Sequence, residues 1–168
     1  MENVIIGQAL GILSTVITFI SYQTNTKKTL LIIQTLATVS TCLSFLFLGA
    51  TTGFALNIVC IIRNIVFYFQ ERRNKFYYFS VAALTLTMIV LGVLSWQGWI
   101  SLLMISALGI NTVFISFGNP QLLRKSILLT SSLVIVYNIF VFSIGGITNE
   151  GISIVSSIIG IIRYKKRG

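Results

Sequence analysis

Arg63 stands inside the apolar run Ile58-Val-Cys-Ile-Ile-Arg-Asn-Ile-Val-Phe, apart from the other eleven Lys and Arg residues of the chain. A guanidinium surrounded by Ile and Val faces a cavity, backbone carbonyls or an anionic group, because an isolated charge in lipid is expensive. It follows Gly53 by ten residues, about 15 Å along a helix, which is close to the middle of a bilayer. Asn57 and Asn64 are seven residues apart and nearly share one helical face, with Arg63 beside Asn64. Asn111, Tyr137, Asn138 and Ser44 add two amides, a phenol and a hydroxyl in other apolar runs. Amides exchange hydrogen bonds with solute hydroxyls, aromatic rings cover apolar sugar faces, and a guanidinium attracts anions. Ser44, Asn57, Arg63, Asn111, Tyr137 and Asn138 are therefore the candidate substrate-binding set. The same residues also suit plain hydrogen bonding between helices, each worth about 1 kcal/mol, and both readings stand at this point.

Catalytic patterns are missing. The chain has no His, no paired carboxylates, no cluster of metal ligands and no phosphate-cradling loop. The expectation is a protein that is not an enzyme and holds no cofactor or metal. Cys42 and Cys60 lie in apolar runs and read as small packing residues.

The elements that must position these groups follow from composition and charge. With 55% hydrophobic and 9% charged residues in 168, the chain cannot cover a surface facing water, and a single membrane domain over 1–168 is expected. Its basic clusters are Lys27–Lys28, Arg72–Arg73–Lys75, Arg124–Lys125 and Arg163–Lys165–Lys166–Arg167. They alternate with connections lacking Lys and Arg at 49–52, 95–99 and 147–151. Cytoplasmic loops retain positive charge, so the alternation predicts seven spans with the N-terminus outside and the C-terminus in the cytoplasm. The spans run approximately over residues 4–22, 29–48, 53–69, 76–94, 100–117, 126–144 and 152–164, the seventh being short. Met1-Glu2-Asn3 lacks the basic start of a cleaved signal, so the first run reads as a retained helix. A net charge of +9 parked beside membrane spans points to anionic lipid headgroups on the cytoplasmic side and away from nucleic acid.

Two parts of the chain read alike. Thr15-Val-Ile-Thr-Phe-Ile-Ser-Tyr-Gln leads into Lys27-Lys28-Thr29-Leu30, as Thr112-Val-Phe-Ile-Ser-Phe-Gly-Asn-Pro-Gln leads into Arg124-Lys125-Ser126-Ile127. Each copy continues through an uncharged turn closed by Gly53 or Gly151 to Ile61-Ile-Arg63 or Ile161-Ile-Arg163, roughly a hundred residues apart. The segment 76–94 matches neither. The all-α fold expected is two parallel three-helix repeats, 4–70 and 100–164, joined by a linker helix, in a 3+1+3 plan.

That plan is similar to SWEET and PQ-loop transporters. The chain more closely resembles the YgjV family of bacterial inner-membrane proteins, through Phe45-Leu-Phe-Leu-Gly49, the stretch from Tyr137-Asn138 to Glu150-Gly151, and Ile161-Ile-Arg163. The resemblance implies a multi-pass protein of the bacterial inner membrane. Members carry His where this chain has Ser44 and Tyr137, so a proton relay through that pair is not carried over. SWEET-type hinges use prolines near cytoplasmic helix ends; here Pro120-Gln121 is the one such dipeptide, and Gln23 takes the corresponding place without a proline. These three are the hinge candidates, although a helix stop before a basic turn explains Pro120 equally well.

The function expected is alternating access for a small polar or anionic solute. The site would lie between the bundles, and no ion coupling is expected, because no carboxylate falls inside a predicted span. The competing expectation is a membrane protein that transports nothing and binds a partner or lipid; separately, a homo-oligomer is among the expected partners.

Overall fold

The computed structural model describes residues 2–22, 27–69, 75–117 and 120–165. These residues form seven helices: α1 Glu2–Tyr22, α2 Lys27–Phe47, α3 Thr51–Phe69, α4 Lys75–Leu94, α5 Ile100–Ser116, α6 Pro120–Phe140 and α7 Ile144–Lys165. Helix is what an apolar chain adopts in lipid, since each backbone N–H and C=O then bonds within its own segment. Within the described residues, α1, α3 and α4 are long and apolar enough to cross a membrane, and 32–47, 100–116 and 144–159 form shorter apolar helices. Lys27 and Lys28 open α2 and Lys75 opens α4. Cations at a helix N-terminus oppose the macrodipole by about 0.3–1 kcal/mol each, so helix stability does not explain their position.

Helix α6 begins six residues earlier than the sequence expectation, at Pro120, and two further boundaries differ in a way that matters for the site. Helix α6 ends at Phe140 rather than 144, and α7 begins at Ile144 rather than 152, so α7 is the longest helix at 22 residues. The stretch 147–151 is helix, and the connection is residues 141–143. Gly145-Gly146 resembles a helix stop, yet Ser143 caps α7 by accepting the Gly146 N–H at 3.2 Å.

This turn reproduces the one between α2 and α3. Gly49 and Phe142 both take positive φ, 71° and 54°. The Ala50 N–H donates to Phe45 O and the Ser143 N–H to Asn138 O, each at 2.9 Å. Gly49 to Leu46 O and Phe142 to Ile139 O are each 3.2 Å. This is the Schellman closure of a helix. Phe at the left-handed position costs about 1–2 kcal/mol relative to Gly, which makes the α6–α7 turn the more strained of the two. Paired turn positions are 93 residues apart, against the roughly hundred residues that separate Ile61-Ile-Arg63 from Ile161-Ile-Arg163.

The helices close a ring: α1 packs on α2 and α7, α2 on α3, α3 on α5, α5 on α6, and α6 on α7. Helix α4 lies against α3 and α5. Neighbours in sequence are antiparallel, as Ser14 and Ser40 show by bonding Ala37 O (2.9 Å) and Leu10 O (2.8 Å) across α1 and α2. Helices α1 and α7 are parallel and touch through backbone, since a Cβ on Gly145 would fall on the Gly11 backbone and 2.7 Å from Ile12 N. Thr15 Oγ1 crosses the same seam to Gly145 O at 2.9 Å. Small residues permit this approach and leave hydroxyls free to bond across it.

Replacing Gly145 by Val must push α1 and α7 apart, because the obstructing atoms are backbone. Thermal unfolding in detergent should detect a loss of about 1–3 kcal/mol. Gly151→Val, where open space surrounds the glycine, should be tolerated far better at the same helix.

Candidate functional site

Arg63 is buried, 6% exposed, in the contact between α3 and α5. Its Nε and Nη2 donate to Asn64 Oδ1 at 3.3 and 3.1 Å. Its Nη1 donates to Asn111 Oδ1 at 3.4 Å and to Thr112 Oγ1 at 3.1 Å. Thr112 is held to receive it by donating its own proton to Leu108 O at 2.8 Å. The planar fork of a guanidinium spreads its donors over these three acceptors, whereas a lysine ammonium presents its three donors from a single nitrogen. All of them are neutral, and among the described residues no carboxylate pairs with the charge. The Asn64 amide Nδ2 is buried and unpartnered. Arg63 follows the start of α3 by twelve residues, about 18 Å, which is mid-depth in a bilayer.

A second cluster closes the ring at the uncharged end. The fully buried Tyr137 reaches from α6 across to α3, where its hydroxyl accepts the Gly53 N–H at 2.9 Å. Asn57 Nδ2 donates to Gly53 O at 2.7 Å, so one glycine joins both predicted residues. Phe45 of α2 stacks edge-on against the Tyr137 ring at 5.9 Å. Gly53 has no room for a side chain: a Cβ there would meet Phe45 Cδ2 at 2.9 Å and the Tyr137 hydroxyl at 3.0 Å.

Two glutamines clamp the turns on either side. Gln8 of α1 donates from Nε2 to Phe142 O and accepts the Ile144 N–H at 3.0 Å, holding the α6–α7 turn. Gln97, before α5, donates to Gly49 O at 2.9 Å and accepts the Thr52 N–H at 3.2 Å, holding the α2–α3 turn. Each amide satisfies backbone groups that a helix end leaves open. Sequence reasoning passed over both. Their signal was weak: a polar amide near the end of an apolar run, with a partner far away along the chain.

The remaining predicted residues lie elsewhere. Ser44 spends its hydroxyl on Gly7 O at 2.7 Å, tying α2 to α1. Asn138 turns away from Tyr137 and lies over Gly146 of α7. Tyr137 and Asn138 sit within one turn of the end of α6, not at mid-depth, because α6 stops at Phe140. Pro120 begins α6 instead of ending a helix, where its missing N–H carries no penalty. Gln23 and the side chains of Pro120 and Gln121 fall outside the described residues. The predicted set thus divides into the Arg63–Asn111 group, the Tyr137–Asn57 group, and two isolated helix contacts.

One expectation is overturned. Glu150 was read as part of a connection, but it stands six residues into α7, so a carboxylate does lie inside a helix. The longer α7 is the reason.

A ring of apolar helices with a charged group held inside defines a polytopic helical membrane protein. More narrowly, the chain belongs to the Imp-YgjV family of bacterial inner membrane proteins, whose model matches residues 5–168. No curated protein and no solved structure matches the chain.

The Arg63 cluster makes a direct prediction. Thr112→Val keeps the shape but removes an acceptor from a buried cation, and should destabilise the protein by about 1.5–3 kcal/mol in thermal unfolding. Thr87→Val, whose hydroxyl bonds only its own helix at an exposed position, should change little.

Proposed function

We propose that the protein carries a small polar or anionic solute across the bacterial inner membrane by alternating access. All seven helices cross in this reading, with the N-terminus outside and the basic clusters in the cytoplasm. Two parallel three-helix units, α1–α3 and α5–α7, move against each other with α4 as their link. The observation that carries the proposal is Arg63: a guanidinium at mid-depth, between the two units, whose acceptors among the described residues are all neutral. A purely structural cation would be better served by a carboxylate or replaced by an apolar residue. A solute anion is the counter-charge that fits.

Several further features favour two similar units. Their inner turns have matching hydrogen bonds at a spacing of 93 residues. The units meet at α3 with α5 and at α7 with α1, two contacts that interchange when the units are exchanged. Gln8 of the first unit holds the turn of the second, and Gln97, three residues before the second unit, holds the turn of the first. The lysines at the starts of α2 and α4 fit cytoplasmic retention, at the helix-dipole penalty noted above.

In the conformation described, the outer end is shut by Tyr137 and both glutamine clamps. Opening it breaks four clamp hydrogen bonds, worth about 0.5–1.5 kcal/mol each. That total is a few kcal/mol, the range that separates two states both populated in a working cycle.

Uptake by proteoliposomes tests the reading, using organic acids and sugar phosphates beside neutral sugars. Saturable uptake of an anion is expected, falling at least about tenfold in Arg63→Gln, since losing a buried charge-assisted contact costs about 1.5–3 kcal/mol. In a variant lacking Cys42 and Cys60, single cysteines at positions 57 and 63 should react with an impermeant thiol reagent. Uptake no faster than in empty liposomes, with uniform protection of both cysteines, would instead indicate a protein that binds a partner or lipid.

A further inference from the structure

Of the three acidic residues, Glu2 opens α1, Glu71 lies outside the described residues, and Glu150 is inside α7. It sits about 9 Å below the start of that helix. Its half-buried carboxylate takes hydrogen bonds from Ser131 of α6 and from Asn149 Nδ2, the latter at 3.4 Å. Neither partner is charged, and among the described residues no cation pairs with it.

The surroundings are short of donors. Gly146 and Glu150 are four residues apart and share a face of α7, with Asn149 beside them. Asn138 packs directly over Gly146, and Ser131 lies seven residues before Asn138 on the same face of α6. Asn138 is 1% exposed, and both its Oδ1 and its Nδ2 lack partners. Asn149 Oδ1 is likewise buried and unpartnered. Three of the four buried, unpartnered side-chain atoms among the described residues thus belong to Asn138, over Gly146, and to Asn149, beside Glu150. Native interiors leave few such atoms, so a cluster of them beside a carboxylate suits a bound ligand that they can partner.

We infer that the seam between α6 and α7 binds one small monovalent cation through the Glu150 carboxylate and the Asn138 and Asn149 amide oxygens. The bound species is a proton on the carboxylate or a sodium ion among the oxygens. Either one neutralises a charge that is otherwise costly at this depth. A single carboxylate with neutral oxygens suits a monovalent ion, whereas calcium sites gather several charges. The groups facing Glu150 do not compete for this role. Helix α6 offers Tyr137, whose hydroxyl is turned to Gly53, and Arg124 and Lys125 at its opposite end. Helix α1 offers Glu2 at its outer tip. Combined with solute transport, the site would couple transport to a cation gradient, but binding itself does not depend on that reading.

The test uses purified full-length protein in detergent at constant ionic strength. The melting temperature is followed as choline chloride is replaced by sodium chloride, and separately as pH moves from mildly alkaline to mildly acidic. A saturable rise of several degrees with sodium identifies a sodium site; a rise in acid with no sodium effect identifies a proton site. Either dependence should vanish in Glu150→Gln, persist in Glu2→Gln and weaken in Asn138→Leu. If Glu150→Gln does not fold, sodium-22 retention and the carboxyl infrared band of the wild type decide between the same outcomes. No sodium or pH effect in the wild type, or an equal effect in Glu150→Gln, overturns the inference whatever the uptake assays give.

Discussion

Lipid offers no hydrogen bonds, so every polar atom of this chain must find its partner within the ring of helices. Most do so locally. Thr15, Thr38, Thr41, Thr85, Thr112 and Thr148 each bond a carbonyl four residues earlier in the same helix. Others cross between helices: Ser14 donates from α1 to α2, and Ser40 and Ser44 donate from α2 to α1. Against that nearly complete satisfaction, the exceptions carry meaning. One is a cation whose partners are all neutral; another is a carboxylate beside amides that have none.

The same constraint explains the glycines. Without a hydrophobic drive between helices in lipid, close contact supplies the attraction, and contact requires small residues at the seam. Gly11 against Gly145 brings the backbones of α1 and α7 together, and the hydroxyl of Thr15 then reaches across. Gly53 does comparable service at the uncharged end, admitting the Tyr137 ring and leaving its own N–H to bond the phenol. Packing and polar satisfaction are one arrangement here, so the core polar groups are held in position by the contacts that exclude lipid.

The sequence made the number of helices readable, because basic clusters alternate along the chain with connections lacking Lys and Arg. Arg63 was readable too, as a charge with no business in an apolar run, although its acceptors Asn111 and Thr112 lie 48 and 49 residues away. The α6–α7 boundary was not. Gly145-Gly146 looks like a stop, and nothing about Phe142 announces the left-handed backbone that ends α6. From that one misplacement followed the wrong depth for Tyr137 and Asn138 and the removal of Glu150 from its helix. Ile61-Ile-Arg63 and Ile161-Ile-Arg163 stand a hundred residues apart whereas the two turns match at 93, and similar apolar letters recur in any such helix. Gln8 and Gln97 stayed hidden because their partners are distant in sequence and are backbone atoms.

The proposed transport requires the helices to part at the end that carries the Gly49 and Phe142 turns. The most direct measurement is the distance between spin labels at positions 48 and 142, one on each of these turns, in lipid nanodiscs. Two distance populations are expected, the longer one growing when Gln8→Ala and Gln97→Ala release the clamps. A single narrow distance, unchanged by releasing both clamps, would contradict it.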